Sequence, residues 1–509
     1  MPTGSADRAP RQEHAARGRR IAAGCACALG AALLWLASRA TAPAFDEIGY
    51  LAQVERCAGA VRAIAERGVL ALLADDVQSG LAGAGDRRVL EALLGAWSRL
   101  SVGRVGLLDL CTSSRLPALV LGLLGPVAVY VLARPSLGRR AAAVSAGLLA
   151  MHPGWLHSCA VTAEGSRIGA ISVLVLAAHQ ASLGACRARL GWSVVCGVVL
   201  GLGVALSEAA LWVLPLLLVH YWVARHRSVR RLCRRARWPL PASAVACALL
   251  APVGSVLLNP TLWKKVGVGA VRWWLEPLSS AGLGAGLTPL GGVARSIRWV
   301  WDTSPLVTLL LGVLGLAAIV HRALARQFAS GRLRPKADRQ ALGALVVLGL
   351  VFTLVLPACW PRVLSPPSLR PAASLPFLAL AAGWGLEAVA RYWAEGRRAL
   401  WVASGGMVLG AVGLGMSGLS TLGGDGSELG AVARAVDRLG APDVTLDAPD
   451  VPADYWRRLG AEGRMQTLVR APRAGETAEL VLRRGSDAPG APVVTVMRRG
   501  VPLWTLARR

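Results

Sequence analysis

Apolar runs of about 20 residues, long enough for a helix to cross some 30 Å of hydrocarbon, recur down this chain and constrain its fold more than any other feature. Inside lipid the backbone has no water to bond to, so such runs bury their polar groups as helices. They lie near 21–38, 116–133, 141–152, 168–184, 191–206, 208–224, 240–258, 305–321, 341–357, 372–390 and 399–419. The pattern predicts an all-α polytopic membrane protein with about eleven transmembrane helices. The run 141–152 is short for a crossing and reads as tilted or broken. Small residues follow the first run, as they do in a signal peptide; it is read as an anchor because the loop after it carries the functional argument.

Charge fixes the orientation. The chain holds 56 Lys and Arg against 29 Asp and Glu, a net +27, which alone would suggest nucleic acid. The arginines, however, gather in short tracts between apolar runs: RGRR at 17–20, RPSLGRR at 134–140, RHRSVRRLCRRAR at 225–237, and 322–340. Cytoplasmic loops retain Lys and Arg in this way, and such loops favour anionic lipid headgroups. No basic patch is interleaved with aromatics, so no nucleic-acid partner is expected. The N-terminus is then inside. Residues 1–20 form a cytoplasmic tail, 21–420 a transmembrane domain with external loops 39–115 and 259–304, and 425–509 an external domain. The protein is expected in the inner (plasma) membrane, multi-pass, with its active side extracytoplasmic.

The external segments differ in character. In 39–115 the apolar positions Ile48, Leu51, Ala52 and Val54, then Val61, Ile64 and Ala65, have helical spacing and predict amphipathic helices on the membrane surface. The loop 259–304 holds Trp263, Trp273, Trp274, Trp299 and Trp301, as interfacial segments do. The C-terminal part has a helix pattern at 427–439 and the strand-like runs VTL, ELVLRR and PVVTVMRRG. It reads as a small α/β domain with a modest core.

Of the ten cysteines, Cys25, Cys27, Cys186, Cys196, Cys233 and Cys247 lie in or beside spans or cytoplasmic loops. Cys57, Cys111, Cys159 and Cys359 fall toward the outside, and a disulfide among them is open. There is no CxxC and no metal-ligand spacing with the seven His, so no metal or other cofactor is predicted. His152 and His157 read as turn and interface residues. The spans are almost free of acids: Glu208 lies at a turn and Glu387 near a cytoplasmic end. Ion-coupled transport needs buried ionisable groups near the midplane and often paired half-repeats, and neither is evident.

The acids gather instead just outside the membrane. Directly after the first run comes PAFDEIGYLAQ, with Asp46 and Glu47 side by side. Such a pair can cap a surface helix and favour its positive end, or it can supply a general base that removes a proton from an acceptor hydroxyl.

In order along the chain stand FDEIGYLAQVERCAGAVRAIAERG, HPGWLHSCAVTAEGSRIGAISVLVL at 152–176, LNPTLWKK at 258–265 and LRPAASLPFLALAAGWGLEAV at 369–389. This succession resembles the GT-C glycosyltransferases, in particular the bacterial branch related to protein O-mannosyltransferases and lipid A aminoarabinose transferases. The first segment is similar to that family's acidic motif and following helix, and the second to its second external loop. The third resembles an Asn-Pro/aromatic stretch, and the fourth the Arg-Tyr-x-x-Pro-x-x-Pro span. The resemblance implies a GT-C-like fold with inverting transfer of a sugar from a polyprenyl-phosphate donor to an acceptor. It makes Asp46 the base, Glu47 its supporting acid and Glu164 the second-loop acid. Arg370 becomes the cation at the leaving phosphate, with Pro371 standing where the family has Tyr. Lys264 and Lys265, two of only three lysines in the chain, and Arg272 are further phosphate candidates; lysines at a membrane edge also snorkel without any such role. Membrane lipids are the other expected partners, and the acceptor is open among lipid, glycan and protein hydroxyls. Two other readings stay open: a transporter or flippase of lipid-linked material, and a non-catalytic membrane scaffold.

Overall fold

The computed structural model describes residues 45–82, 89–103, 110–160, 164–184, 189–225, 242–265, 289–328, 337–359, 370–392, 425–448, 451, 454–461, 465–472, 477–484, 489–498 and 501–508. Three helices open the described chain: α1 (Phe45–Arg67), α2 (Asp75–Ala82) and α3 (Val89–Ser98). The bundle follows, with α4 (Leu110–Leu137), α5 (Arg139–Ala150), α6 (Pro153–Ala160), α7 (Glu164–Gly184), α8 (Arg189–Leu206), α9 (Val213–Arg225) and α10 (Ala242–Leu258). It continues through α11 (Pro289–Thr303), α12 (Leu306–Phe328), α13 (Ala337–Cys359) and α14 (Leu375–Tyr392). Short 3-10 turns stand at Val69–Leu73, Glu208–Trp212, Pro260–Lys265 and Arg370–Ser374.

Among the described residues three helices are long and apolar enough to cross a membrane: Thr112–Leu137, Gly165–Leu183 and Pro371–Arg391. Five shorter apolar helices accompany them: Leu190–Leu206, Ala210–Val223, Ala242–Leu258, Leu306–His321 and Arg339–Val355. The expected count of eleven is therefore not reached within these residues. The runs 21–38 and 399–419 lie outside them. The run 141–152 becomes α5, which at 12 residues is about 18 Å long and too short for a full crossing. It stops because Pro153 disfavours the helical conformation at His152.

Close helix contact depends on small residues, since lipid offers apolar side chains no hydrophobic gain for pairing. On α8 a Cβ at Gly201 would sit 3.2 Å from Gly254 Cα of α10. Between α12 and α14, a Cβ on Gly315 would collide with the Ala381 carbonyl, and one on Gly385 with that of Leu311. Buried around α7 and α14 are Trp155, Ile171, Leu176, Phe377, Leu380 and Trp384.

The helices α1 to α3 have a core of their own. Leu51, Val54, Cys57 and Val61 of α1 pack with Leu72, Val77, Leu81, Val89 and Leu93. This corrects the expectation that α1 lays its apolar stripe on lipid: that stripe faces its sister helices. The exposed apolar side chains here are Val69, Leu70 and Leu73 of the 3-10 turn and Leu94 and Trp97 of α3.

The C-terminal part is a five-stranded mixed sheet. Helix α15 (Asp425–Asp437) precedes β1 (Asp443–Asp447), then come α16 (Asp454–Ala461), β2 (Leu468–Arg470), β3 (Leu480–Arg484), β4 (Ala491–Arg498) and β5 (Val501–Arg508). The order is β2-β1-β3-β5-β4. β1 runs parallel to β2 and β3, while β5 is antiparallel to β3 and β4. Val432 and Val436 of α15 and Tyr455, Trp456 and Leu459 of α16 pack with Val444, Leu446, Leu480, Leu482 and Leu506 of the strands. Asp437 Oδ1 accepts from the Gln466 and Thr467 N–H groups at 3.0 and 2.8 Å, tying the end of α15 to the start of β2.

Candidate active site

The sequence-derived site residues stand at helix and turn ends. Asp46 and Glu47 are the second and third residues of α1, Glu164 opens α7, and Arg370 opens the turn Arg370–Ser374. Lys264 and Lys265 close the turn Pro260–Lys265. The side chains of these six lie outside the described part, and Arg272 lies outside the described residues altogether. Their backbones still show what the fold brings together. α7 packs on the turn opened by Arg370, where a Cβ at Gly169 would lie 3.3 Å from Ala373 Cα. The turn bearing Lys264 and Lys265 packs on α2 and α3, and Gln78 Nε2 of α2 donates to Pro260 O at 3.0 Å. α1 packs on α3. Tyr50, one turn along from Asp46, is buried and donates from its hydroxyl to Ser114 O of α4 at 2.7 Å.

The same region holds a layer of buried polar groups. Thr112, Ser113, Ser114 and Arg115 at the start of α4 are fully buried, and Ser166, Arg167, Asn259, Thr261 and Ser374 nearly so. Asn259 Oδ1 accepts from the Thr261 hydroxyl at 2.8 Å and from its N–H at 3.3 Å. His152 Nδ1 accepts from the Gly154 N–H at 3.1 Å. Its Nε2, 3.0 Å from the Ser304 hydroxyl, therefore carries the proton, and the ring is neutral and unsuited to hold phosphate. Cys57 and Cys159 are free, buried thiols, and burial pushes the Cys57 thiol up to about 12. Among the described residues no three His, Cys, Asp or Glu side chains gather as a metal ion would require.

Two charged side chains missed by sequence reasoning meet in this layer. Arg167 of α7 donates to Glu91 Oε2 of α3, and both side chains are 2% exposed. One acid inside VLEALLGAW and one Arg just before the apolar stretch IGAISVLVL are each costly to bury alone, but nothing local in the sequence names either one's partner.

Two indoles hold the backbone around the layer. Pro126 of α4 has no N–H to give to Gly122 O, its i−4 carbonyl. Trp155 of α6, 0% exposed, donates Nε1–H to that oxygen at 3.1 Å. Its ring lies where a Cβ on Gly125 would fall, and against Gly169 of α7. Beside the Lys264–Lys265 turn, Trp263 shares its Nε1–H between the Val256 and Leu257 carbonyls at the end of α10, 3.1 Å to each, and Val256 O also accepts from the Asn259 N–H at 3.3 Å.

Comparison with known proteins agrees with this architecture. Residues 108–255 match the family model described as Dolichyl-phosphate-mannose-protein mannosyltransferase. The structure of ArnT from Cupriavidus metallidurans bound to Undecaprenyl phosphate matches with TM-score 0.52 and 14% identity, covering 95% of this chain and 97% of that one. The apo state of that ArnT matches with TM-score 0.46 and 14% identity over 97% and 98% of the two chains. The oligosaccharyltransferase of Archaeoglobus fulgidus in complex with Zn and sulfate matches with TM-score 0.41 and 15% identity over 75% and 53%. No curated protein sequence matches significantly. The chain thus shares its fold with that undecaprenyl-phosphate-bound ArnT, in keeping with the GT-C resemblance read from its sequence.

Proposed function

We propose that this protein is a membrane glycosyltransferase that moves a sugar, with inversion, from a polyprenyl-phosphate donor to an extracytoplasmic hydroxyl on a lipid, glycan or protein. The observation that carries this reading is the packing of α7, opening at Glu164, on the turn opening at Arg370, within an ArnT-like fold. That ArnT is bound to undecaprenyl phosphate, which supports a polyprenyl-phosphate donor here. In the proposed reaction Asp46 takes the proton of the acceptor hydroxyl as its oxygen attacks the anomeric carbon. The bond from that carbon to the phosphate oxygen breaks, and its electron pair leaves with the polyprenyl phosphate. Arg370, supported by Lys264, Lys265 and Arg272, stabilises the charge that develops there. Glu47 orients Asp46, and Glu164 is a second carboxylate on the same side. The reading carries eleven crossings, a cytoplasmic N-terminus, and the segments 39–115, 259–304 and 425–509 outside. Among the described residues the buried carboxylates Glu91 and Glu387 are both bound by arginines, which lends transport no support.

The test is Asp46→Asn in the full chain in lipid nanodiscs. Assays use a panel of polyprenyl-phosphate pentoses and hexoses with envelope extract as acceptor, read as released polyprenyl phosphate and labelled product. Asn keeps the size and shape of Asp within the first turn of α1, so insertion should be unchanged while the rate falls about 10²–10⁴-fold. Glu47→Gln should be milder. A normally inserted, fully active Asp46→Asn protein would refute the mechanism.

A further inference from the structure

The ion pair between Glu91 and Arg167 has no part in the chemistry just described, yet both side chains are almost wholly buried. Burying such a pair brings little stability, because two well-packed apolar side chains in its place usually do as well or better. What an apolar contact lacks is direction. Here one guanidinium nitrogen of Arg167 meets one carboxylate oxygen of Glu91, and a buried charge-assisted contact of this kind holds distance and direction more narrowly than apolar packing does, so the pair fixes how two elements sit against each other.

The elements joined are those that carry the candidate site. Arg167 is three residues after Glu164, one turn along the same helix, α7. Glu91 is on α3, which packs on α1, the helix bearing Asp46 and Glu47, and on the turn that ends in Lys264 and Lys265. α3 lies mainly against α1, α4 and α8 rather than along α7, and this ion pair links it to the first turn of α7.

We infer that Glu91 and Arg167 are positioning residues that set the Glu164 end of α7 in register with the surface helices bearing Asp46. The inference rests on the glycosyl-transfer reading and adds to it two residues that touch neither donor nor acceptor. A small misplacement of catalytic groups lowers turnover far more than it lowers binding, by up to about 10²-fold per ångström.

The experiment compares wild type, the double variant Glu91→Leu/Arg167→Met, and Arg167→Lys, all as full chains in nanodiscs with the donor panel above. The double variant replaces the pair by apolar side chains and should melt at or above the wild-type temperature. Its kcat is expected to fall by about tenfold to 10²-fold while donor KM stays within about twofold. Arg167→Lys keeps the charge but not the guanidinium, and should give a smaller kcat loss at unchanged melting temperature. A double variant that folds and keeps wild-type kcat overturns the inference and leaves the glycosyl-transfer reading standing. Should the double variant fail to fold, Arg167→Lys decides: a wild-type kcat overturns the inference, and a kcat loss without a KM change sustains it. A wild-type protein inactive on every donor removes the parent reading and this inference together.

Discussion

Replacing Trp155 tests whether an indole stands in for the N–H that Pro126 lacks. Trp155→Ala removes a fully buried ring from a bundle whose unfolded reference is separate helices in lipid, so the cost is lost packing rather than transfer from water. If a void on the order of 100 Å³ remains, about 24 cal/mol per Å³ gives a loss of about 2.4 kcal/mol. The Gly122 carbonyl, 3.1 Å from the indole nitrogen, is left without that donor and adds about 1–3 kcal/mol. The total is about 3–5 kcal/mol. Trp155→Phe retains much of the volume but loses the N–H, so most of its cost should be the carbonyl. That share can be isolated, because Pro126→Ala restores a main-chain donor four residues after Gly122. In the Pro126→Ala background Trp155→Phe should therefore cost less, with a coupling of about 1–2 kcal/mol. The assay is equilibrium unfolding of the full chain in mixed micelles, followed by far-UV circular dichroism; one of 18 tryptophans barely changes the signal. Additivity of the two substitutions within about 0.5 kcal/mol would refute the substitute-donor account.

Arg370→Ala should cut transfer by about 10²–10³-fold. Arg391→Ala, which removes only a half-exposed partner of Glu387 at 2.6 Å, should leave the rate per folded molecule unchanged; equal losses would count against Arg370. Cys196 and Cys247 lie with their sulfurs 3.5 Å apart across α8 and α10, close to the bonded distance of about 2.0 Å. Copper-phenanthroline oxidation, then proteolysis within 226–241, should give fragments that separate only after reduction; fragments that part without it would contradict this helix contact. Cys233 lies in the Arg-rich tract 225–237 and should resist an impermeant maleimide on intact cells, and rapid labelling from outside would invert the topology.

Hydropathy made the helices legible, but their ends depended on partners invisible to it. Arg115 looked like the last external residue, yet α4 begins at Leu110, and Arg115 is fully buried within its first turns. Glu208, read as a turn residue, does stand in a 3-10 turn, and the run counted from 208 becomes α-helix only at Val213. In the C-terminal part the apolar runs marked β1, β3 and β4. β2 is only three residues long, and the Pro and Trp in VPLWTLAR hid β5, which pairs with both β3 and β4. Of the candidate site, motif order pointed to α7 and the Arg370 turn, which do pack together. The Glu91–Arg167 pair was not legible because its partners are 76 residues apart and no local pattern announces a long-range ion pair.

The pairing of a proline with a distant indole also bears on how such a chain can change over generations. Pro126 leaves a carbonyl that receives an indole N–H from Trp155. At membrane depth there is no water to take the indole's place. The order in which the two residues arise then matters. A tryptophan acquired first is tolerable as packing, whereas a proline acquired first leaves a bare carbonyl in hydrocarbon. Reversal has to run the other way, proline lost before tryptophan. The pair is thus inherited as one character, and a descendant that kept Pro126 while losing the indole at 155 would have to bring another donor to Gly122.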